Sequence, residues 1–255
     1  REPWLGTPKA TSITEHPIRG RGERLLALAR ATGAAAIHCS RSYEPWAVSQ
    51  EQELLTACQS EGIVLRRFPG TLLHEPETIH TRTGTPYKVY TPFWRNLRTL
   101  EVRQPGQFQA AEGMATAVPE GLPLAALELL RDLDGKVDLA SRWKPGETGA
   151  QLALDAFVQR LGGYAQSRDF PGLDATSKLS PHLRFGEISP ARVWHKLRAI
   201  PTETADGDRD KFLSELAWRE FNYHLLFHFP HIPERPFRGE YAALPSLVRE
   251  PMLEC

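Results

Sequence analysis

Thr176, Ser177, Lys178 and Ser180 place three hydroxyls and an amine just ahead of Pro181. Proline presets the backbone of a first helical position and has no amide to satisfy, so a helix is predicted to open there with Ser180 as its N-cap. Hydroxyls beside exposed helix amides suit a pyrophosphate, because the amide end of a helix carries partial positive charge. The same string also reads as ordinary capping, and the pattern leaves both readings open. Ser189-Pro190 repeats the start signal a little further on.

A second group falls on a helix predicted over 209–228. Phe212, Glu215, Trp218, Arg219 and Asn222 recur at spacings of three, four and seven, which gather them toward one face. Leu213, Leu216, Ala217 and Leu225 remain to pack inward. A carboxylate, an indole and a guanidinium side by side are costly to bury unpaired. They form either a Glu215–Arg219 ion pair beside a half-exposed tryptophan or a ligand-binding face.

These residues need elements to hold them. Helical spacing runs from Glu23 to Thr32, and Gly33 stops it before Ala34-Ala35-Ala36-Ile37, which reads as a buried strand. After the Tyr43-Glu44-Pro45 turn, Val48 to Ser60 reads as a helix closed by Gly62, followed by the strand-like Ile63-Val64-Leu65 and Phe68. This αβαβ order predicts a parallel sheet. No glycine-rich phosphate loop precedes either helix, so this half reads as scaffold. Pro105, Pro119, Pro123 and Pro145, with Gly106, Gly113, Gly121 and Gly146, mark a connector. The expected domains are therefore 1–103 (α/β), a linker at 104–148, and 149–255 (helical), with helices near 149–166, 181–185, 190–199 and 209–228.

The 255 residues are 41% apolar and 24% charged, enough for a sizeable core in each of two domains. A formal net charge of zero means that any anionic partner is held by a local patch rather than a global field. Cys39, Cys58 and Cys255 are odd in number, widely spaced and without a CxxC pair. They fit reduced thiols in a cytoplasmic protein, with neither a disulfide framework nor a metal site. No signal peptide or membrane-spanning run is found. The chain opens on Arg1, not Met, so the sequence is expected to continue upstream.

RDFP, then TSKLSPHLRFGEISP, then ELAWREFNYHLLFHFP, in that order and spacing, resembles the FAD-binding domain of class I DNA photolyases in the photolyase/cryptochrome family. SYEPWA, LLHEP and GTPYKVYTPFWR are similar to segments of that family's antenna domain, so the resemblance covers roughly residues 20 to 245. It implies an incomplete Rossmann-like α/β antenna domain followed by an incomplete all-α FAD-binding domain. The implied activity is a carbon–carbon lyase, in which reduced FAD under blue light repairs cyclobutane pyrimidine dimers in DNA, the damaged base being extruded to reach it. Tyr164, Thr176, Ser177, Lys178, Leu179 and Ser180 match contacts to FAD and its phosphates, and Phe212 and Arg219 match further flavin-pocket positions. Arg168 matches a DNA-phosphate contact, Trp218 the indole that packs on the dimer, and Glu215 the carboxylate that hydrogen-bonds its base. Arg219 and Asn222 are expected to extend the DNA-facing surface of a monomer that needs no membrane.

The sequence also departs from the family. Its opening strand and helix are not found before residue 20, and the segments that complete its flavin cavity would lie beyond Cys255, so this chain alone is not expected to hold FAD stoichiometrically. Ser246 stands about where the family usually has the surface tryptophan of an electron chain. Trp46 and Ala47 stand where some members have an asparagine and a glutamate against a folate antenna. That argues against folate and leaves the second chromophore unassigned. A cryptochrome photoreceptor and a noncatalytic remnant with weak nucleic-acid binding are the alternatives to repair.

Overall fold

The structure is a computed structural model, and it describes residues 21–106, 121–127 and 143–243. Most of the 104–148 connector, Ser246 and Cys255 lie outside the described residues.

The chain divides into two compact units. The described part of the first takes in 21–39, 46–67 and 121–127. Helix α1 (Arg21–Thr32) leads to strand β1 (Ala36–Ser40), then helix α2 (Pro45–Ser60) and strand β2 (Val64–Phe68). The amide of Val64 bonds the carbonyl of Ala35, and that of Arg41 bonds the carbonyl of Phe68, so the strands advance together as a parallel pair. Cys58 is fully buried, and Leu26 and Ala29 are buried as well. Arg30 and Glu61 form a two-pronged ion pair. The expected burial of the first strand is not what forms. Its residues alternate between exposed and partly exposed, because the described sheet has only two strands and its pleat leaves alternate side chains toward solvent.

The second unit contains the remaining helices. Its described part also includes 40–45 and 68–106, upstream of the proline-rich connector. Here lie helix α3 (Tyr90–Leu97), α4 (Glu147–Gln159), α5 (Tyr164–Ser167), α6 (Ser180–Arg184), α7 (Pro190–Arg198) and α8 (Thr202–His228). The single helix expected over 149–166 is two. Gly163 takes φ 82°, a left-handed conformation that glycine adopts without a Cβ penalty, and the chain turns there between α4 and α5. Gly149 has a different reason to be glycine: a Cβ would lie 1.7 Å from the carbonyl oxygen of Lys144.

Helix α8 is the axis of the unit, packed by α3, α5 and α7. At 27 residues it runs about 40 Å. Arg209, Phe212, Leu213, Leu216, Ala217, Glu220, Phe221 and His224 form its buried stripe, at helical spacing. They close on Phe93 and Leu97 of α3, Leu154 and Phe157 of α4, and Val193, Trp194 and Leu197 of α7. The stripe is apolar except for Arg209, Glu220 and His224.

Candidate functional site

A cavity of about 620 Å³ opens at α5, the 176–179 loop, α6 and α8. Its walls bring together Tyr164, Thr176, Ser177, Lys178, Leu179, Ser180, Phe212 and Arg219, together with Arg168 and Glu215. Sequence reasoning did not reach Leu183, Arg184 and Tyr223, which also line it, as does Leu216, expected to pack inward and buried at 5% exposure. Tyr223 was within reach of a helical-spacing argument, since it stands four residues after Arg219. Trp218 and Asn222 are not among the lining residues.

Each wall is set by local sequence and then fixed from outside. Asp208 on α8 accepts hydrogen bonds from the amides of Gly163 (2.8 Å) and Ala165 (2.7 Å). It supplies the cap that glycine at the start of α5 cannot. That holds Tyr164, which meets Phe212 and Phe157 edge-on at 5.5 and 5.4 Å. Burial pushes the Tyr164 phenol up, and Arg168, whose guanidinium lies 5.7 Å from the ring, pulls it back.

The loop wall departs from simple capping. Among the described residues, Lys178 is the one non-glycine with positive φ, at 56°. Such a conformation costs about 1–3 kcal/mol and persists where surrounding contacts over-determine it. Those contacts are present: Lys178 Nζ lies 2.6 Å from Asp174, Trp143 Nε1 donates to the Lys178 carbonyl at 3.2 Å, and Arg160 joins Asp174 (2.8 Å) to the Thr176 carbonyl (3.1 Å). Ser177 Oγ accepts from the Leu179 amide at 3.3 Å. Ser180 is not the N-cap. Leu179 holds that position, with no side-chain cap bond, so the Ser180 hydroxyl is displaced from the capping role predicted for it. At the other Ser-Pro pair the prediction holds, since Ser189 accepts from the Arg192 amide at 3.2 Å with Pro190 in the first turn.

The α8 wall departs from the expected stripe. Each helical residue advances about 100°, which carries Trp218 well around the axis from Arg219. Trp218 instead lies flat on Tyr90 of α3, with ring centroids 3.6 Å apart and planes within 9°, and it stays 41% exposed. The Tyr90 hydroxyl is bound at Ser214. Nor does Glu215 pair with Arg219. It takes Arg168 Nη1 at 2.5 Å and Lys211 Nζ at 3.1 Å, while Arg219 Nη1 reaches the Thr71 carbonyl (2.8 Å) and Glu220 (3.0 Å). Burial works against the charge of Arg168, and the bond to Glu215 leads the effects that raise its pKa nonetheless. Asn222 is exposed.

Arg168, Lys178, Arg184 and Arg219 thus line the cavity with one carboxylate, Glu215, which pairs with Arg168, while Lys178 pairs with Asp174, Arg184 with Glu44 and Arg219 with Glu220. In a chain of zero net charge, this is the local patch an anionic ligand requires. Cationic groups, hydroxyls and flat aromatic walls suit a ligand that is both phosphorylated and planar. Among the described residues, no group of three or more His, Cys, Asp or Glu is placed to hold a metal ion, and no helix is long and apolar enough to cross a membrane.

The family model described as DNA photolyase matches residues 18–112. A deoxyribodipyrimidine photo-lyase of Agrobacterium fabrum is 41% identical over 228 residues, covering 88% of this chain and 48% of its own length. One from Synechococcus is 32% identical, covering 91% of this chain and 50% of itself. The crystal structure of a bacterial class III photolyase from Agrobacterium tumefaciens superposes with a TM-score of 0.84 at 38% identity, covering 91% of this chain and 49% of that one. The chain belongs to the photolyase/cryptochrome family. It spans about half the length of the curated relatives it matches.

Proposed function

We propose that this chain provides the first wall of a flavin pocket in a DNA photolyase, which repairs pyrimidine dimers with light and FAD. One observation carries the reading: the segments quoted for flavin contact, separated in sequence from Tyr164 to Arg219, converge on a single cationic cavity. When bound, reduced FAD would supply one electron to the dimer under blue light and receive it back once the ring has opened, a redox-neutral cycle.

The chain's own residues have distinct tasks. Thr176, Ser177 and Ser180 would hold the phosphates by their hydroxyls, and Lys178, paired with Asp174 at 2.6 Å, would add positive charge beside them. Leu179 closes the loop over the core. Arg219, fixed by Thr71 and Glu220, would meet the flavin from the α8 wall. Phe212 and Tyr164 exclude water from one side. Glu215 would accept from the extruded base, and Arg168, paired with it at 2.5 Å, would exchange that contact for a DNA phosphate. Trp218 acts outside the flavin cavity: stacked on Tyr90 and stiffened by it, its remaining surface meets the base, and Asn222 extends the same exposed flank. The protein acts as a cytoplasmic monomer. Similarity at 38% identity to a class III photolyase supports class III over the class I expected from the motifs.

The test illuminates dimer-containing oligonucleotide with the chain, reduced FAD and blue light, using the protein extended to the length of its relatives as comparison. Dimer splitting by the extended protein supports repair. Flavin uptake without splitting points to a photoreceptor, and no flavin uptake by either protein refutes the reading.

A further inference from the structure

A carboxylate in the middle of the buried stripe of α8 needs a reason. Glu220 is 2% exposed in its side chain, and an apolar residue of similar volume would fill the site without the cost of burying charge. Its partners supply the reason. One oxygen accepts from the Leu73 amide at 2.7 Å, the other takes Arg219 Nη1 at 3.0 Å, and the His74 amide also bonds the group. Arg219 is in turn tied to the Thr71 carbonyl at 2.8 Å, and its guanidinium lies 5.1 Å from the Tyr223 ring. The segment 71–74 and α8 therefore meet through one carboxylate, and the guanidinium it holds lines the cavity.

We infer that Glu220 is the positioning residue of the cavity, fixing the Arg219 guanidinium on the wall against the 71–74 segment so that an anionic ligand meets a pre-set donor. The positioning rests on this geometry alone; naming FAD as the ligand rests on the function proposed above. A guanidinium whose Nη1 is held by two acceptors and which lies over the Tyr223 ring loses little further freedom when it binds, and the buried carboxylate is one of those acceptors. The groups that face Glu220 are Arg219 on its own helix and the amides of Leu73 and His74 from the packed segment. Burial lifts its pKa to about 7, against the pull of Arg219 and those amides. Protonation removes the charge from the Glu220–Arg219 contact and weakens it, leaving the Thr71 carbonyl as the acceptor that pH does not change.

The experiment uses the 255-residue chain and its Glu220→Gln variant, with Arg219→Lys to assign the side-chain resonance. Nitrogen-15 NMR of the Arg219 guanidinium should show two resolved Nη resonances, from hindered rotation, at about pH 8, merging on titration to about pH 6 in the parent and merged throughout in Glu220→Gln. Titration with FAD and with inorganic pyrophosphate should be weakened about tenfold by the variant, the order of one loosened charge-assisted bond. An Arg219 resonance that is the same in both proteins overturns the inference whatever happens to the ligands. So does a loosened Arg219 with unchanged affinity. Should Glu220→Gln not fold, the parent's own titration decides, and a guanidinium unaltered between the two pH values overturns it. If the parent takes up neither probe, the flavin reading fails and the resonance still settles the positioning.

Discussion

The two flanks of α8 are built from the same short stretch and do opposite things. On one, Phe212, Glu215, Leu216, Arg219 and Tyr223 line a cavity and carry charge toward it. On the other, Ser214, Trp218 and Phe221 close on Tyr90 of α3, with ring centroids at 3.6 and 5.8 Å for the two aromatic pairs. The rest of the buried stripe, with Leu213, Ala217, Glu220 and His224 in it, runs between them. Residues three or four apart on a helix are neighbours, yet neighbours on a helix need not share a partner, and the partner decides whether a side chain packs or binds.

The sharpest break of this comparison is Phe212→Ala. Phe212 belongs to the cavity flank but is also wedged against Phe157 at 4.5 Å and Tyr164 at 5.5 Å. Its truncation is expected to cost about 3–5 kcal/mol in urea unfolding and to abolish FAD uptake as the wall collapses. A loss below about 1 kcal/mol would mean that the cavity wall is not part of the core.

The stripe between the flanks gives a pH test. The folded pKa of Glu220 is raised from 4.5 to about 7 by burial, so its contribution is fully present below 4.5 and lost as pH rises through 7. His224 is lowered from 6.5 to about 4, burial leading and His228 adding, so its contribution is present above 6.5 and lost as pH falls through 4. Each is on the order of 3 kcal/mol, and the slopes oppose one another between 4.5 and 6.5. Stability of the parent should therefore be nearly flat over that window. Glu220→Gln should make it rise with pH, and His224→Gln should make it fall. Flat profiles in both variants would refute the assignment.

Trp218→Ala separates the flanks directly. It should lower stability by about 0.5–1.5 kcal/mol beyond the lost contact area, through the Tyr90 stack, and leave FAD uptake unchanged. In the extended protein it should weaken binding to dimer-containing duplex in the dark by about 1–3 kcal/mol. Loss of flavin with retained preference for damaged DNA would reverse the roles given to the two flanks.

The smallest effects come from the two Ser-Pro starts. Ser189→Ala should cost about 1 kcal/mol by removing a cap, with no change in FAD uptake. Ser180→Ala should leave stability within about 0.5 kcal/mol and lower FAD uptake, since Ser180 does not cap. Equal behaviour of the two would return both to simple capping.

What the sequence disclosed was local. Pro190 and Ser189 specify a helix start by themselves, and the spacing of Leu213, Leu216 and Ala217 marks a core side without any partner. Gly33 and Gly62, both at positive φ, ended their helices where expected. What it withheld depends on distant residues. Asp208 caps α5 from across the unit, and nothing in its neighbours announces that. Glu220 looks like any exposed helical glutamate until the Leu73 amide is seen on it. Trp218 was grouped with Glu215 and Arg219 because spacing alone cannot say that α3 arrives on its side. The left-handed Lys178 is likewise set by Asp174, Trp143 and Arg160, not by lysine itself.

The central claim, that the cavity is a flavin site whose loop wall holds the phosphates, is tested most directly by titrating FAD and riboflavin into the 255-residue chain and into its Thr176→Ala, Ser177→Ala, Ser180→Ala triple variant. The prediction is saturable FAD quenching in the parent, substoichiometric retention on gel filtration, much weaker riboflavin binding, and loss of the preference for FAD in the triple variant. Equal affinity for FAD and riboflavin in the parent, or an FAD titration that the triple variant leaves unchanged, would contradict it.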